Sequence, residues 1–515
     1  MTAAAPMPLD PAPLNSVTLS PVPLNSAPLN SVPMSPVPIS PVPLTTVSLS
    51  PVPPESRDSE PPSPMPLGRR LPERPHLLLI ASGDREFREY LLHPLGERYR
   101  VHLFSAAEAG WETRHLDGCT VLSDLADAQQ LIAAARALDA RDHIDGVLCW
   151  DEASVIAAAG VAEALGLPGG DTATVLRCQD KHQTRRLLAE AGIPQPGSVL
   201  VSSVEQGVAA AAGIGYPVVL KPRDPAASMG VVLVSSEREL REQFALASDS
   251  TASGLDISVL VEENADGPEI SVDCAVFHGE VLPICLAHKQ IGFAPYFEEI
   301  GHLMDGADPM LADDGFRDIL QQVHSAIGFT EGFSHAEFRL TPLGPKVIEI
   351  NPRLGGDLIP YLGLRTTGID PALVAADIAV GRRPDVTARR KAFGAVRFCY
   401  VPHEMTIGAI GFDPDRMPAE VDLAIPLARP GERQAPPPAG SVTGRIALIT
   451  AVGDSEADVR AVIAAAESAL CVTEAPNAAA PVLDLPVGQL RDVEVAARQL
   501  AGSRPSEPWP VTARA

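Results

Sequence analysis

The feature that most constrains the fold is a hairpin around residue 343. HAEFRL (335–340) and KVIEIN (346–351) flank the turn TPLGP. Successive side chains of a strand point to opposite faces, so Glu349, Asn351 and Arg353, spaced by two, share one. Centring the hairpin on Leu343 sets Glu337 directly opposite Glu349. The apolar positions between them leave little freedom of register, because a slip of one residue would turn the core face outward. Carboxylates directly opposite one another destabilise a sheet, and over an apolar hairpin they push one pKa upward.

The pair becomes favourable if a hard divalent cation lies between its members. Mg²⁺ takes oxygen ligands, usually one or two carboxylates together with substrate phosphates. Glu337, Glu349 and Asn351 are the candidate ligands. Arg353 is placed to clamp the anion such a metal serves. The alternative is a solvated strand face in a shifted register, where the carboxylates never meet.

Composition narrows the function. The chain has 515 residues, enough for two to four domains, and a formal net charge of −25. So acidic a chain suits neither a nucleic-acid backbone nor an anionic surface, so neither nucleic acid nor membrane is expected as a partner. Seven scattered cysteines without a CxxC pair argue for reduced thiols, a cytoplasmic setting and no zinc site. No run of 18 apolar residues occurs, and the first residues lack the basic and apolar regions of a secretory signal.

The expected organisation has five parts. Residues 1–74 form a Pro-rich tail, with eight copies of a five-residue unit from Pro13 to Val52 (PLNSV, TLSPV, PLNSA and so on). Proline at that density forbids helix and favours an extended, solvated chain, either a spacer or a docking site for a Pro-recognising partner. HLLLIASG, DAQQLIAAARALDA, DGVLCW and EASVIAAAGVAEALG alternate strand and helix, so 75–176 reads as a parallel α/β domain. In 177–384, a helix with a Leu187, Leu188, Ala191 stripe ends at Gly192. Mostly antiparallel strands follow, and 197–265 is the expected lid. A strand-containing subdomain spans 385–474. A linker, a short helix in GQLRDVEVAARQLAG and a loose end complete 475–515.

Two weaker constellations accompany the hairpin. Lys221 ends the strand GYPVVLK and opens the small-residue loop PAASMGV, which suits phosphate; a snorkelling surface lysine is the bland reading. Lys181, at the start of its helix, is less informative alone. In VEENADGPE, Glu262 and Glu269 flank a turn. Carboxylates there can accept from an exocyclic amine and a ribose hydroxyl, or be acidic loop decoration.

Taken together, DKHQTRRLLAEAGIPQP, GYPVVLKP, SMGV, VEENADGPEISV, AEFRLT and EINPRLGGD resemble the ATP-grasp superfamily, over about residues 76–470. The chain looks most like its amino-acid ligase group. PYFEEIGHLMDG (295–306) supports that narrower likeness. The resemblance implies an α/β and α+β ATP-grasp architecture: an N-terminal parallel α/β domain, a lid and an antiparallel catalytic sheet. It implies an enzyme that joins a carboxylate to an amine through an acyl phosphate and releases ADP and phosphate. Amino acids or small peptides would be the substrates, ATP and Mg²⁺ the cofactors (Mn²⁺ as an alternative metal), and a homodimer the assembly.

Carried over by position, the resemblance implies the following roles. Lys181 and Lys221 contact nucleotide phosphates, with the loop around Ser228 and Gly230 closing over them. Glu262 faces the adenine amine, Glu263 and Ala265 offer backbone groups to the ring, and Glu269 holds the ribose. Glu337, Glu349 and Asn351 bind the metal, and Arg353 faces the transferred phosphate. Glu299, His302 and the Gly355 and Gly356 amides lie near the amino-acid substrate, and Asp151 and Glu152 approach from the first domain. The loop DPAASMG is poorer in glycine than the superfamily pattern, and the proline tail is foreign to it.

Two rival readings remain. One is another ATP-grasp activity, such as a nucleotide-biosynthesis ligase or a carboxylase, although no biotinyl-lysine segment such as MKM occurs. The other is a non-catalytic ATP-binding protein. That reading predicts eroded metal ligands, whereas Glu337, Glu349, Asn351 and Arg353 are all present.

Overall fold

The structure, a computed structural model, describes residues 74–169, 171–223, 229–249 and 258–475. The repeat tail, Ser228 and the helix expected in GQLRDVEVAARQLAG lie outside them.

The first sheet is parallel. β1 (His76–Ile80) pairs with β2 (Arg100–Ser105) after helix α1 (Arg85–Arg98), and β3 (Gly118–Val121), α2 (Ala128–Asp139), β4 (Gly146–Cys149) and α3 (Val155–Leu165) complete it. The strand order is β3-β2-β1-β4. β1 is buried along its whole length, as a continuous apolar run in a parallel strand should be. The side chain of Asp127 caps α2 by accepting from the Gln129 and Gln130 amides.

Two short helices, α4 (Thr172–Gln179) and α5 (Lys181–Glu190), lead out of this domain. α5 ends as its sequence predicts: Gly192 has φ 69°, the left-handed conformation that favours glycine after a helix. Its buried face differs from the expected stripe. Lys181, Thr184, Arg185 and Leu188 face inward, whereas Ala191 is exposed and Leu187 only half-buried. The spacing i, i+3, i+4, i+7 is helical, but three of the four residues are polar, so apolar periodicity overlooks them.

A four-stranded antiparallel sheet follows. β5 (Ser198–Val201), α6 (Val204–Ile214), β6 (Val218–Pro222), β7 (Val232–Val234), α7 (Glu237–Asp249) and β8 (Val259–Glu263) build it in the order β5-β8-β6-β7. Both helices pack on one face of this sheet over Leu220, Val232, Val234, Leu240 and Phe244.

The largest sheet has eight antiparallel strands. Its elements are β9 (Glu269–Phe277), β10 (Glu280–Gly292), β11 (Glu298–Asp305), α8 (Asp314–Ile327), β12 (Gly332–Thr341) and β13 (Gly344–Asn351). α9 (Ile359–Thr367), α10 (Pro371–Ala379), β14 (Phe393–Tyr400), β15 (Met405–Phe412), β16 (Val421–Pro426), β17 (Arg433–Gln434), β18 (Arg445–Gly453), α11 (Glu456–Ser468) and β19 (Leu470–Glu474) follow. The sheet order is β13-β12-β9-β10-β11-β14-β18-β16, and β17-β15-β19 form a small separate sheet. The segment expected as a C-terminal subdomain therefore adds β14, β18 and β16 to the same sheet that carries the hairpin. Its residues can reach the same site.

Period-two alternation divides the sheet. Ile270, Val272, Cys274 and Val276 of β9, with Ala336 and Phe338 of β12, pack on Phe316, Leu320, Val323 and Ile327 of α8. The opposite face carries Ser271 and Asp273, then His335 and Glu337, then Glu349 and Asn351. That face looks toward α9, α10 and the N-terminal domain.

Candidate active site

Glu337 pairs directly with Glu349, and His335 with Asn351. The expected pairing stands, by a different route. The strands close through a two-residue turn, Thr341 opposite Gly344, rather than a turn centred on Leu343. Phe338 pairs with Val347, and the register shifts between Glu337 and Phe338. Ile348 is the extra residue of a β-bulge. The bulge puts Val347 and Ile350 on the same core face, three residues apart, while Ile348 and Glu349 both line the cavity.

Arg185 of α5 answers the irregularity. β13 is an edge strand, and the guanidinium donates to the Val347 carbonyl at 3.2 Å and the Ile348 carbonyl at 2.8 Å. It also grips Glu262, through Nε at 2.7 Å and Nη2 at 3.1 Å. One buried side chain thus ties α5, the bulged edge and β8 together.

A cavity of about 450 Å³ opens between the N-terminal domain, the four-stranded sheet and the hairpin face. Lys181, Lys221, Glu262, Glu263, Ala265, Glu269, Glu299, Glu337, Glu349, Asn351, Arg353, Gly356, Asp151 and Glu152 all line it. His302 and Gly355 lie behind its wall. Gly230 stands at φ 73°, one residue beyond the segment outside the described residues, which contains Ser228.

Charges in the cavity come as matched sets. Lys181 lies 3.2 Å from Glu349, and Lys221 lies 2.6 Å from Glu262. Burial lowers the Lys221 ammonium below its ordinary value, against the pull of Glu262. Burial opposes ionisation of Glu262 too, but Arg185 and Lys221 win and bring it down to about 2. The Glu262 carboxylate, expected to face an adenine amine, is therefore already occupied by three donors. Glu263 pairs with Lys346 at 2.6 Å and accepts from the Gly197 amide. Gly267, in the turn before Glu269, approaches so closely that a Cβ there would lie 2.1 Å from the Leu340 carbonyl oxygen. This contact and its φ of 150° account for the glycine of the GPE motif.

Lys289 of β10 stands at the centre. Its ammonium lies 3.1 Å from Glu269, 2.9 Å from Glu299 and 3.0 Å from Glu337. Burial works against this ammonium, yet the three carboxylates hold it well above its usual range. The expectation that one of the facing carboxylates is pushed up fails at Glu337. Burial favours its neutral form, but Lys289 and His335 hold it well below the carboxylate range. Burial does prevail at Glu299, which is raised despite Lys289.

His335 bridges two carboxylates. Its Nδ1 meets Asp273 at 2.6 Å, and its Nε2 lies 3.3 Å from Glu337. Burial would neutralise the ring, but Asp273 and Glu337 raise it to about 9. Gly355 packs against this pair: a Cβ there would lie 2.9 Å from His335 Nδ1 and 3.0 Å from Asp273.

Arg353 leaves the end of β13 and pairs with Glu152, which also accepts from Gln179 at 2.5 Å. Burial would weaken the Arg353 charge, but Glu152 raises it. The hairpin's arginine and the N-terminal domain's carboxylate therefore meet across the cavity, a pairing not expected from sequence. His302 is fully buried, 3.4 Å from Glu299 and 3.5 Å from Asp357. Asp357 and the next residue, Leu358, have φ of 54° and 61°, costly for residues with a Cβ. Arg445 of β18 holds Asp357 by two hydrogen bonds of 2.6 and 2.8 Å while its guanidinium covers the Phe398 ring.

Arg88, Arg185, Lys289, His335, Asp357 and Arg445 were not found from sequence. Lys289 and Arg445 sit in plain strands whose partners are distant in the chain. Asp357 closes the quoted EINPRLGGD, and that placement was the one available signal.

The donor set suits a hard cation. Glu337, Glu349 and Asn351 share one cavity-facing side of the hairpin, oxygen groups of the kind such a cation takes, and the surrounding ammonium groups also suit phosphate. All seven cysteines are unpaired, and among the described residues no helix is long and apolar enough to cross a membrane.

Comparisons with known proteins agree with this geometry. Residues 101–169 match the ATP-grasp N-terminal domain and residues 214–361 the ATP-grasp domain. Carnosine synthase 1 of Homo sapiens is 28% identical over 303 residues, covering 54% of this chain and 36% of that protein. D-alanine–D-alanine ligase of Pseudomonas entomophila is 37% identical over 127 residues, covering 24% of this chain and 37% of its own length. The chain thus spans little more than a third of either relative. The crystal structure of L-amino acid ligase from Bacillus licheniformis superposes with a TM-score of 0.66 at 22% identity, covering 79% of this chain and 100% of that one. The facing carboxylates of the hairpin lie within the segment that matches the ATP-grasp domain, and the parallel sheet, largely within the segment that matches its N-terminal domain, is their neighbour across the cavity.

Proposed function

We propose that this protein is an ATP-dependent carboxylate–amine ligase that forms an amide bond between amino acids or small peptides. The observation that carries the reading is the facing pair Glu337 and Glu349 within one cavity that also holds Lys181, Lys221 and Arg353, with Lys289 against Glu337 behind it. Amino acids are favoured as substrates by the relatives that match, carnosine synthase and D-alanine–D-alanine ligase.

The chemistry follows from charge. A carboxylate is a poor electrophile because its oxygen is a poor leaving group. Its attack on the γ-phosphorus of ATP forms a P–O bond, breaks the bond to ADP and yields an acyl phosphate. Lys181 and Lys221 would offset the repulsion between the two anions. Mg²⁺, held by Glu337, Glu349 and Asn351, would neutralise phosphate charge when bound. An amine then attacks the acyl carbon, the C–O bond breaks, and phosphate departs with the electron pair. Arg353 would stabilise the oxyanion and the leaving phosphate. Glu299 and Asp357, backed by His302, form the anionic wall suited to the substrate's amino group. The four-stranded sheet would close as the lid and exclude water from the acyl phosphate.

ADP release with Mg²⁺ and ATP, measured against amino acids singly and in pairs with mass spectrometry of the products, tests this. A dehydrated conjugate formed only with particular pairs is the expected result. ADP release with no amino acid or peptide would remove the ligase reading in favour of another ATP-grasp activity or a non-catalytic nucleotide binder.

A further inference from the structure

Every cationic side chain lining the cavity has a carboxylate partner except one. Lys181 has Glu349, Lys221 has Glu262, Arg339 has Glu269, Arg353 has Glu152 and Arg445 has Asp357. Arg88, from the first turn of α1, forms no ion pair among the described residues. Its one side-chain hydrogen bond to them is from Nη1 to the Gly355 carbonyl, at 3.3 Å.

Its surroundings make that unusual. Arg88 is half-buried, with Arg353 close enough to add repulsion. Asp273 and Asp357 act on it only from a distance. Burial lowers its affinity for the proton, and their attraction does not offset this. A guanidinium presents five N–H donors, and one carbonyl leaves most of them without a protein partner. Removing a cation from water is costly unless an anion answers it. Asp84 and Asp357 line the same cavity, but neither forms an ion pair with Arg88 among the described residues, and Asp357 is already held by Arg445; Phe87, Trp150 and Ile359 add apolar wall.

We propose that Arg88 is the anchor for the carboxylate of the amine-donating substrate. This deepens the ligase reading and rests on it. The two substrates differ in what their carboxylates undergo. One is phosphorylated and consumed, and it needs groups that follow phosphate chemistry, such as Lys181 and Arg353. The carboxylate of the amine donor persists unchanged into the product, so it needs a fixed cation outside the phosphate cluster. Arg88 meets that description: it comes from the N-terminal domain, beside the Gly355–Gly356 backbone. A guanidinium binds a carboxylate through two parallel hydrogen bonds, a geometry that the neutral carboxamide cannot match. The substrate class is therefore an amine bearing a free carboxylate, with an apolar wall beside it, and not a simple amine or an amino-acid amide.

The test compares each common amino acid with its carboxamide, by binding and by turnover. Binding is read as the shift in thermal midpoint with Mg²⁺ and a non-hydrolysable ATP analogue, for wild type, Arg88→Gln and Arg88→Lys. In wild type the free acid should bind at least about tenfold more tightly than the amide, the value of one charge-assisted contact. Arg88→Gln should bind acid and amide alike, and Arg88→Lys should recover part of the difference. In turnover, Arg88→Gln should raise KM for the amine donor while the KM for ATP stays unchanged.

Equal binding of acid and amide by wild type, or full discrimination by Arg88→Gln, would overturn the proposal. So would binding of no amino acid at all. The ligase reading fails separately, when wild type releases no ADP. Turnover without acid–amide discrimination would remove the anchor and leave the ligase. A structural role alone would shift the midpoint of the unliganded variant without changing the acid-to-amide ratio.

Discussion

At the hairpin end of the cavity, charges are matched before any substrate arrives. Lys289 alone touches Glu269, Glu299 and Glu337. At the end walled by α1, Arg88 has only a backbone carbonyl among the described residues. The difference separates two tasks. A set that must hold phosphates in one geometry is fixed by the protein itself, because preorganised charge costs no rearrangement during reaction. A group that must recognise a separate molecule keeps its donors free. If that division is real, changes at the first end should damage turnover, and the fold as well where they remove a charge, while changes at the second should damage substrate affinity alone.

The largest effect is expected at Lys289. Lys289→Met should destabilise the protein by about 3–5 kcal/mol, since it leaves three carboxylates without their shared cation. Urea unfolding of wild type and variant measures this, and turnover should vanish with it. A loss under about 1 kcal/mol would mean that the carboxylates take up protons instead, with Glu299 first in line because burial already raises it. The division between the two ends would then be weaker than the distances suggest.

Next comes Arg353→Lys. Lysine keeps the charge but loses the planar fork, so turnover should fall about 100-fold or more with unfolding little changed. Single-turnover ADP formation with a saturating substrate pair checks this. Arg88→Gln should leave that rate intact at saturation. Equal losses of rate in the two variants would erase the distinction between a residue for chemistry and one for recognition.

Much of the hairpin end was legible in sequence, and the reason is local. Glu337, Glu349 and Asn351 lie within fifteen residues on two strands, and period two places them on one face. Even so, the register argument reached the right pair through offsetting errors. The turn is one residue tighter than one centred on Leu343, and the bulge at Ile348 restores the pairing at Glu349. Nothing in KVIEIN marks a bulge, because Ile348 suits a strand on either face. Arg185 stabilises it from a helix 162 residues away in the chain. Arg185 was hidden for a different reason: the inward face of α5 is largely polar, and periodicity counts only apolar residues. Arg445 and Asp357 are separated by 88 residues. Their meeting depends on β14 and β18 joining the central sheet, a topology that strand signals alone do not give.

A third effect is a pH dependence at His335. Burial opposes its charged form, but Asp273 and Glu337 raise its folded pKa to about 9, above the ordinary imidazole value of about 6.5. The sign follows from that direction. The imidazolium contributes stability that is fully present below about 6.5 and is lost as pH rises through about 9. Its size is about 3 kcal/mol. Unfolding measured from pH 6 to pH 10 should show wild type losing its advantage over His335→Gln across that window. A constant difference would mean that the ring stays neutral and serves Glu337 only as a hydrogen-bond donor.

The smallest effect belongs at the rim. Glu263 pairs with Lys346 at 2.6 Å, but its side chain is 41% exposed, so solvent screens the pair. Such pairs contribute about 0–1 kcal/mol, and Glu263→Gln should lie within that range. The role expected of Glu263 toward the nucleotide is a backbone one, and the substitution leaves the backbone unchanged. The KM for ATP should therefore stay within about threefold, less than 1 kcal/mol of binding. A larger rise would show that the carboxylate itself reads the nucleotide. The hairpin end would then keep one recognition group of its own, and its contrast with Arg88 would narrow to a difference of degree.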